Sequence, residues 1–210
     1  MASTSAQFAL RDPDVRLMLR VRSDDQTAFA ELVERFQHRL LGVMHHICGN
    51  AAEAEDLAQE VFLRVYRNRK EYHPRAKFST WLFTIANNLA LNALRRRQRK
   101  PTVQLDAHDS GPLGPRPAEN LAYDKGPSPD HRMDHLELSC VVQRALAELN
   151  ERQRMAVILN KFEDMSYQEI ADIMAISTKA VKSLLSRART QLRDLLKGYV
   201  TMEEDGVKGR

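Results

Sequence analysis

Between Pro101 and Arg132 the chain reads PTVQLDAHDSGPLGPRPAENLAYDKGPSPDHR and holds six of its eight prolines. A stretch with so few, scattered apolar residues buries too little surface to offset the entropy of ordering it, so it cannot form the middle of a packed body. It reads as a flexible linker of roughly 30 residues, with a span of about 30 Å and a contour limit near 100 Å. The chain is thereby divided into a block at 13–100 and a block at 133–198. A disordered start is expected at 1–12 and a polar tail, either a frayed end or a regulatory handle, at 199–210. Any buried core has to be divided between the two blocks.

Both blocks follow a helical period, and no strand pattern competes with it. Upstream, helices are expected over Asp14 to Arg22 and from Asp24 to about Ile47, where Phe29, Leu32, Val33, Phe36, Leu40, Leu41, Val43 and Met44 keep the repeat. Gly49-Asn50 breaks it. A third helix follows from Ala51 to Asn68 with Leu57, Val61, Phe62 and Val65 inward, then a loop from Glu71 to Lys77 around Pro74, then a fourth helix from Ser79 to about Arg99. Downstream, Asp134 to Leu149 and Glu151 to Phe162 precede two further helices. The fold class is all-α: two helical domains joined by a Pro/Gly-rich linker.

The last two helices carry the clearest function. Ser166 and Glu169 stand at the spacing of a reciprocal capping pair, which satisfies the first orphaned N–H groups of a short helix with Ile170, Ala171, Ile173 and Met174 on its apolar face. Ala175-Ile176-Ser177 makes the turn, and Ser177 suits the N-cap of the final helix, whose inward stripe is Val181, Leu184, Leu185, Ala188, Leu192, Leu195 and Leu196. The opposite face presents Lys179, Ser183, Ser186, Arg187, Thr190 and Arg193, with Lys182 and Arg189 at its edges. Cations that reach guanine edges or phosphates, hydroxyls that bond either base partner, and a preceding capped helix together fit a helix-turn-helix reading a major groove. Ala175 stands where Gly would adopt a positive φ without cost, which leaves the turn geometry open.

The fourth helix is the second candidate. Leu82, Ile85, Leu89 and Ala93 form its core stripe, Asn88 and Asn92 lie one turn apart on another face, and it ends in Arg95, Arg96, Arg97, Arg99 and Lys100. Asn offers both a donor and an acceptor to base edges, although a solvated pair is the common case. Five cations in six residues exceed what a helix dipole needs, so phosphate contact is the economical explanation. The segment before it adds Arg67, Arg69, Lys70, Arg75 and Lys77 beside Tyr66, Tyr72, Phe78 and Trp81. Cations interleaved with rings suit unpaired bases, with Trp81 either a stacking platform or core.

Composition narrows the class. A net charge of +4 and a pI near 9.2 become informative because the cations are clustered. Cys48 and Cys140 are far apart and form no CxxC pair, which fits a reducing cytoplasm and indicates neither a disulfide framework nor a zinc site. No apolar run reaches the ~20 residues of a membrane span, and the start lacks an export signal, so membrane insertion is not expected. His45 and His46 point about 100° apart on a helix with no carboxylate set at ligand spacing, and there is no phosphate-cradling glycine loop. No metal, no cofactor and no catalytic residues are expected.

Taken together, AEDLAQEVFLRVYRN, FSTWLFTIANNLALNALRRRQR and ELNERQRMAVILNKFEDMSYQEIADIM with AVKSLLSRAR resemble bacterial sigma factors of the extracytoplasmic-function (ECF) type in the sigma-70 family, over about Asp24 to Leu196. The resemblance implies a two-domain initiation subunit without enzymatic activity that works in the bacterial cytoplasm at the nucleoid. Its partners would be core RNA polymerase, promoter DNA (duplex at minus 35, partly single-stranded at minus 10) and an anti-sigma factor. It implies that Asp56, Gln59 and Glu60 dock on a basic coiled coil of the polymerase. Asn88 and Asn92 would lie at the upstream edge of the minus-10 element, and the loop Glu71 to Lys77 would accept a flipped base, with Lys77, Trp81, Arg95, Arg96 and Arg97 completing that surface. Lys179, Lys182, Ser183, Ser186 and Arg187 would read minus 35. Leu184 departs from the Arg that many relatives carry after the Lys-Ser pair. The rival reading is a stand-alone helix-turn-helix regulator, which leaves the upstream helices unexplained.

Overall fold

The computed structural model describes residues 12–99 and 129–207; residues 1–11 of the expected disordered start and most of the linker lie outside them, while Asp12, expected in that start, is ordered as a helix cap. Eight α-helices and no strand are found among the described residues. They are α1 (Pro13–Arg22), α2 (Gln26–Cys48), α3 (Ala51–Arg67), α4 (Phe78–Arg99), α5 (Pro129–Ala147), α6 (Glu151–Lys161), α7 (Tyr167–Met174) and α8 (Thr178–Val207). A single 3-10 turn, Arg69–Glu71, opens the segment between α3 and α4.

Side-chain caps set the starts. Asp12 Oδ1 accepts from the amides of Asp14 and Val15 ahead of α1, with Pro13 at the position where a missing N–H costs nothing. Asp25 does the same for Thr27 and Ala28 at α2. The expected break falls where Gly49, at φ 71, ends α2 and Asn50 Oδ1 accepts from Glu53 N at 3.0 Å to start α3. A reciprocal capping box of Asn150 and Gln153 begins α6. The N-x-x-Q spacing announces that box in the sequence as plainly as Ser166 and Glu169 do for α7. The bounds that differ most from expectation are three: α2 begins at Gln26 with Asp24 outside it, α5 begins at Pro129, inside the proline-rich stretch, and α8 continues to Val207, into the expected tail. Proline at a first helical position fits the start of α5, since only an interior proline breaks the ladder.

Helices α1 to α4 form one bundle, centred on Met18, Leu32, Phe36, Leu40, Val61 and Leu82, all essentially inaccessible. Helices α5 to α8 form a second around Leu146, Met155, Ile158, Ile170 and Val181. The two are not separate cores: the second bundle lies on the first, α7 and α6 against α4, and α6 and α5 against α2, in one continuous apolar cluster. The cause lies in α4. Besides the expected stripe it buries Phe78, Phe83, Ala86 and Ala90, so its apolar side is broader than that stripe and has a second face to cover.

Polar ties frame this junction. Arg39 on α2 gives Nε and a terminal nitrogen to Glu163 Oε2 at 2.9 and 2.6 Å. Arg154 donates to the carbonyl of Ile47 at 2.7 Å and to that of Ala147 at 2.6 Å, satisfying orphaned oxygens at the ends of α2 and α5. Gln143 donates to His45 O at 3.0 Å and faces His46 Nδ1 at 2.9 Å, while the His46 ring sits 4.2 Å from that of Phe162. Burial holds His46 below the usual imidazole range. Both cysteines are free thiols, and burial pushes Cys48 up to about 11.

Candidate nucleic-acid and protein interfaces

The α7–α8 unit forms as the residue pattern requires. Ser166 N donates to Glu169 Oε2 at 2.9 Å and Glu169 N to Ser166 Oγ at 3.3 Å, the reciprocal box at the start of α7. Ala175 closes the helix in the left-handed region, φ 52 and ψ 47, and Ile176 N bonds back to Ala171 O at 3.0 Å. That is a Schellman closure with Ala in the place that favours Gly, so the turn keeps its usual geometry at a cost of roughly 1 kcal/mol. Ser177 Oγ then accepts from Ala180 N at 3.2 Å and starts α8. Val181, Leu185 and Ala188 are buried, and Leu184, the departure from the family pattern, is half-buried against the core, so its side chain serves packing. Lys179, Lys182, Ser183, Ser186 and Arg187 are all exposed. Thr190 spends its hydroxyl on Ser186 O at 3.3 Å.

The α4 surface is assembled differently. Asn88 and Asn92 are exposed one turn apart, and Arg95, Arg96 and Arg97 are exposed at the end of the helix, Arg97 also reaching Cys48 O at 3.4 Å. Of the four rings expected beside the cations, Tyr72 and Phe78 are core residues. Burial raises the Tyr72 phenol well above its ordinary value. Trp81 is half-buried, its ring 4.9 Å from Tyr72 and 6.1 Å from Phe78, so it is anchored on an aromatic floor with part of its surface outward. Tyr66 is covered by Arg69, whose guanidinium lies 4.1 Å over the ring.

The cations of this segment are also largely committed. Arg69 meets Asp24 at 2.8 Å and Lys70 bonds the other oxygen of the same carboxylate, which holds Asp24 below the usual range, Lys70 contributing most. Lys77 pairs with Glu169 at 2.8 Å across the two bundles. Burial works against the Glu169 carboxylate, but Lys77 and Ser166 outweigh it and hold its pKa low. Arg69 and Lys70 are therefore struts, Arg69 half-buried and Lys70 exposed; Arg67, Arg75 and Lys77 are the other exposed cations of the segment.

On α3, Asp56 and Gln59 are exposed and Glu60 is half-buried, on one ridge as their spacing requires. Arg64 Nε donates to Glu60 Oε1 at 2.9 Å and lowers its pKa. Leu63 continues this ridge with 49% of its surface exposed, an apolar contact that the charges drew attention away from. It lies two residues from Val61 and from Val65, on the far side of the helix from the buried stripe, so period alone identifies it. A cleft between the bundles gathers Arg95, Arg97, Arg144, Arg152 and Arg154 with Glu151; it exists only because the bundles pack together. No group of three or more His, Cys, Asp or Glu is placed to hold a metal among the described residues, and no described helix is long and apolar enough to cross a membrane.

Comparison with known proteins agrees with this layout. A family model for sigma-70 region 2 matches residues 32–100, and one for sigma-70 region 4 matches residues 141–192. The ECF RNA polymerase sigma factor SigW of Bacillus subtilis (strain 168) is 34% identical over 177 residues, 84% of this chain and 93% of its own length. The ECF RNA polymerase sigma-E factor of Escherichia coli (strain K12) is 34% identical over 181 residues, 84% and 90% of the two chains. Among solved structures, the sigma factor RpoE in complex with the anti-sigma factor NepR from Bartonella quintana aligns with a TM-score of 0.58 at 26% identity, covering 80% of this chain and 96% of that one. CnrH in complex with the cytosolic domain of CnrY aligns with a TM-score of 0.66 at 24% identity over 89% and 99%, a likeness of fold.

Proposed function

The chain belongs to the ECF RNA polymerase sigma factors of the sigma-70 family, and we propose that it carries out promoter recognition and initiation through three separate surfaces, with no bond chemistry of its own. The ridge of Asp56, Gln59 and Glu60, extended by Leu63, docks on a basic surface of core polymerase. The outer face of α8, through Lys179, Lys182, Ser183, Ser186 and Arg187, reads duplex at minus 35. Asn88, Asn92, Arg95, Arg96 and Arg97, with Lys77, Trp81 and the loop 71–77, hold the partly single-stranded minus-10 element.

The observation that carries this reading is the presence on one chain of an exposed acidic ridge on α3 and two exposed cationic faces on α4 and α8. A lone DNA-binding regulator has use for the last of these and none for the first. Strand opening is then driven by binding. Extruding bases costs a few kcal/mol, offset by stacking worth roughly 1 to 3 kcal/mol per base and by phosphate contacts.

The two bundles act as separate modules joined through 101–128, the part of the linker that precedes α5, and the work is done in the cytoplasm at the nucleoid. Since RpoE was solved with an anti-sigma factor, a protein of that kind is the expected restraint on this chain. The test is reconstitution with core polymerase: start-site-specific transcripts are expected from the complete chain. Replacing Asp56, Gln59 and Glu60 together by Ala should abolish core binding while the helical content is kept. Unchanged affinity removes the docking assignment, and absence of any association with core polymerase removes the whole reading.

A further inference from the structure

The segment 72–77 has little backbone structure of its own: after the 3-10 turn its one internal backbone bond among the described residues is Arg75 N to His73 O at 2.8 Å. Besides the Lys77–Glu169 pair, it is held by α1 at both ends. At the far end, Asp12, which caps α1, also accepts from Phe78 N at 3.3 Å, fixing the point where the loop becomes α4. At the near end, Arg22, the last residue of α1, donates to Tyr72 O at 3.2 Å, and Lys70 donates to Arg22 O at 3.0 Å. Between α1 and α2 stands Asp24, its backbone in the left-handed region at φ 69, where Asp is tolerated better than most residues. Its two oxygens take Arg69 and Lys70, and Arg69 in turn donates to Tyr66 O at 2.8 Å and lies over the Tyr66 ring.

We propose that α1 and the corner after it are a splint for the loop 72–77, with Asp24 and Arg22 as positioning residues that hold the loop backbone in the shape that accepts unpaired bases. The inference rests on the assignment of that loop to base capture given above. Its physical content is preorganisation: a segment of six residues without its own ladder would otherwise pay the entropy of ordering at the moment of binding. The competing account of Asp24 is electrostatic, namely that it merely neutralises two cations beside a nucleic-acid surface. The two accounts differ in sign, because removing a neutralising acid strengthens phosphate binding and leaves base capture as it was, whereas removing a strut weakens base capture.

The experiment uses the complete chain bound to core polymerase and two labelled single-stranded probes of equal length, oligo-dT and an abasic oligomer with the same phosphates. The ratio of their affinities reports base capture with the backbone charge divided out. Stacking at roughly 1 to 3 kcal/mol per base gives an expected ratio of about 5 to 150 for the unaltered protein. D24N keeps the shape of the side chain and tolerates the positive φ; it should raise abasic affinity a few-fold, through the released Arg69 and Lys70, and lower the ratio at least threefold. R22M, which removes the bond to Tyr72 O without freeing a cation, should lower the ratio and not raise abasic affinity. An unchanged ratio in both variants, with thermal unfolding as before, overturns the splint. A ratio near one in the unaltered protein overturns the base-capture assignment itself, and the splint with it.

Discussion

The outer face of α8 and the loop-and-α4 surface carry similar cations, yet they stand differently in the molecule. On α8 the polar face is bare: Lys182, Ser183, Ser186 and Arg187 are exposed, and a buried stripe one turn below holds the helix still. Around the loop the cations are engaged, Arg69 and Lys70 by Asp24 and Lys77 by Glu169 of the other bundle, and Trp81 is half-buried. One surface resembles a finished duplex reader. On the other, Lys77 has to leave Glu169 of the second bundle before it can meet a phosphate, so affinity there is reduced by the cost of breaking that pair, as for any site whose competent state is a fraction of the population.

Arg187→Ala strikes the finished surface and should have the largest effect, a loss of roughly 1 to 3 kcal/mol confined to particular upstream base pairs. Lys182→Ala should weaken binding evenly across sequences and flatten the salt dependence by about one unit. Affinities for a panel of duplexes with single base-pair changes, each at two salt concentrations, check both. An even loss from Arg187→Ala would mean that this residue meets phosphate only and that the face is less selective than its composition suggests.

The second prediction separates the surfaces. Glu163 is only 5% exposed in its side chain, and burial raises its pKa in spite of Arg39. Arg39→Met leaves that carboxylate buried without its guanidinium. The partner is itself about half in solvent, so a penalty of about 1 kcal/mol on the packed arrangement is a fair expectation. A pair of dyes on α2 and α8 should report a larger mean separation, and binding of a single-stranded probe should improve several-fold. Binding of a minus-35 duplex should stay as it was. A parallel gain at both surfaces would break the comparison, since α8 would then also be masked.

Much of this was legible in the chain. The Gly49-Asn50 break, the Ser166–Glu169 box, the Ser177 cap and the inner stripes of α2 and α3 follow from local spacing, and the structure forms them where the residues indicate; on α8 the stripe holds from Val181 to Leu192, whereas Leu195, expected inward, is 45% exposed. What the residues did not disclose is long-range. Asp24 takes Arg69 from 45 positions away, so a cation that reads as open for DNA is paired, and Glu163 takes Arg39 from 124. The continuous core has a related cause: Phe83, Ala86 and Ala90 are visible as apolar residues, but one stripe accounts for an isolated α4, and nothing local says that a second bundle covers the rest. Leu63 and the Asn150–Gln153 box, by contrast, follow from local spacing alone.

Ala175 offers a smaller adjustment. Ala175→Gly relieves a left-handed Cβ worth roughly 1 kcal/mol, less what the freer unfolded chain takes back. A rise in melting temperature of about 2 °C, seen by calorimetry, is expected. Duplex affinity should hardly change, because the turn already has its final geometry. A clear gain in affinity would show instead that strain at this turn misplaces α8, and that the bare surface is not fully finished.

Acid pH should divide the two surfaces with the gentlest touch. The loop side depends on carboxylates: Asp24 is held low by Lys70 and Arg69, and Asp25, the cap of α2, is lowered to about 2 by the Thr27 hydroxyl, the Ala28 amide and Arg20. A carboxyl whose folded pKa lies below its unfolded value of 3.8 contributes stability above that value and loses it as the pH falls towards the folded one. The loop and the α1–α2 corner should therefore loosen progressively from about pH 4 to about pH 2. Helix α8 starts on the Ser177 hydroxyl and rests on Val181, Leu185 and Ala188, none of which titrates there. Amide exchange followed down the pH scale, corrected for its intrinsic rate, should show protection fading first over 22–28 and 69–78 and later over 178–192. Simultaneous loss would mean that the single apolar cluster, rather than the carboxylate struts, governs both surfaces, and the distinction between a finished reader and a propped one would then be a matter of surface charge alone.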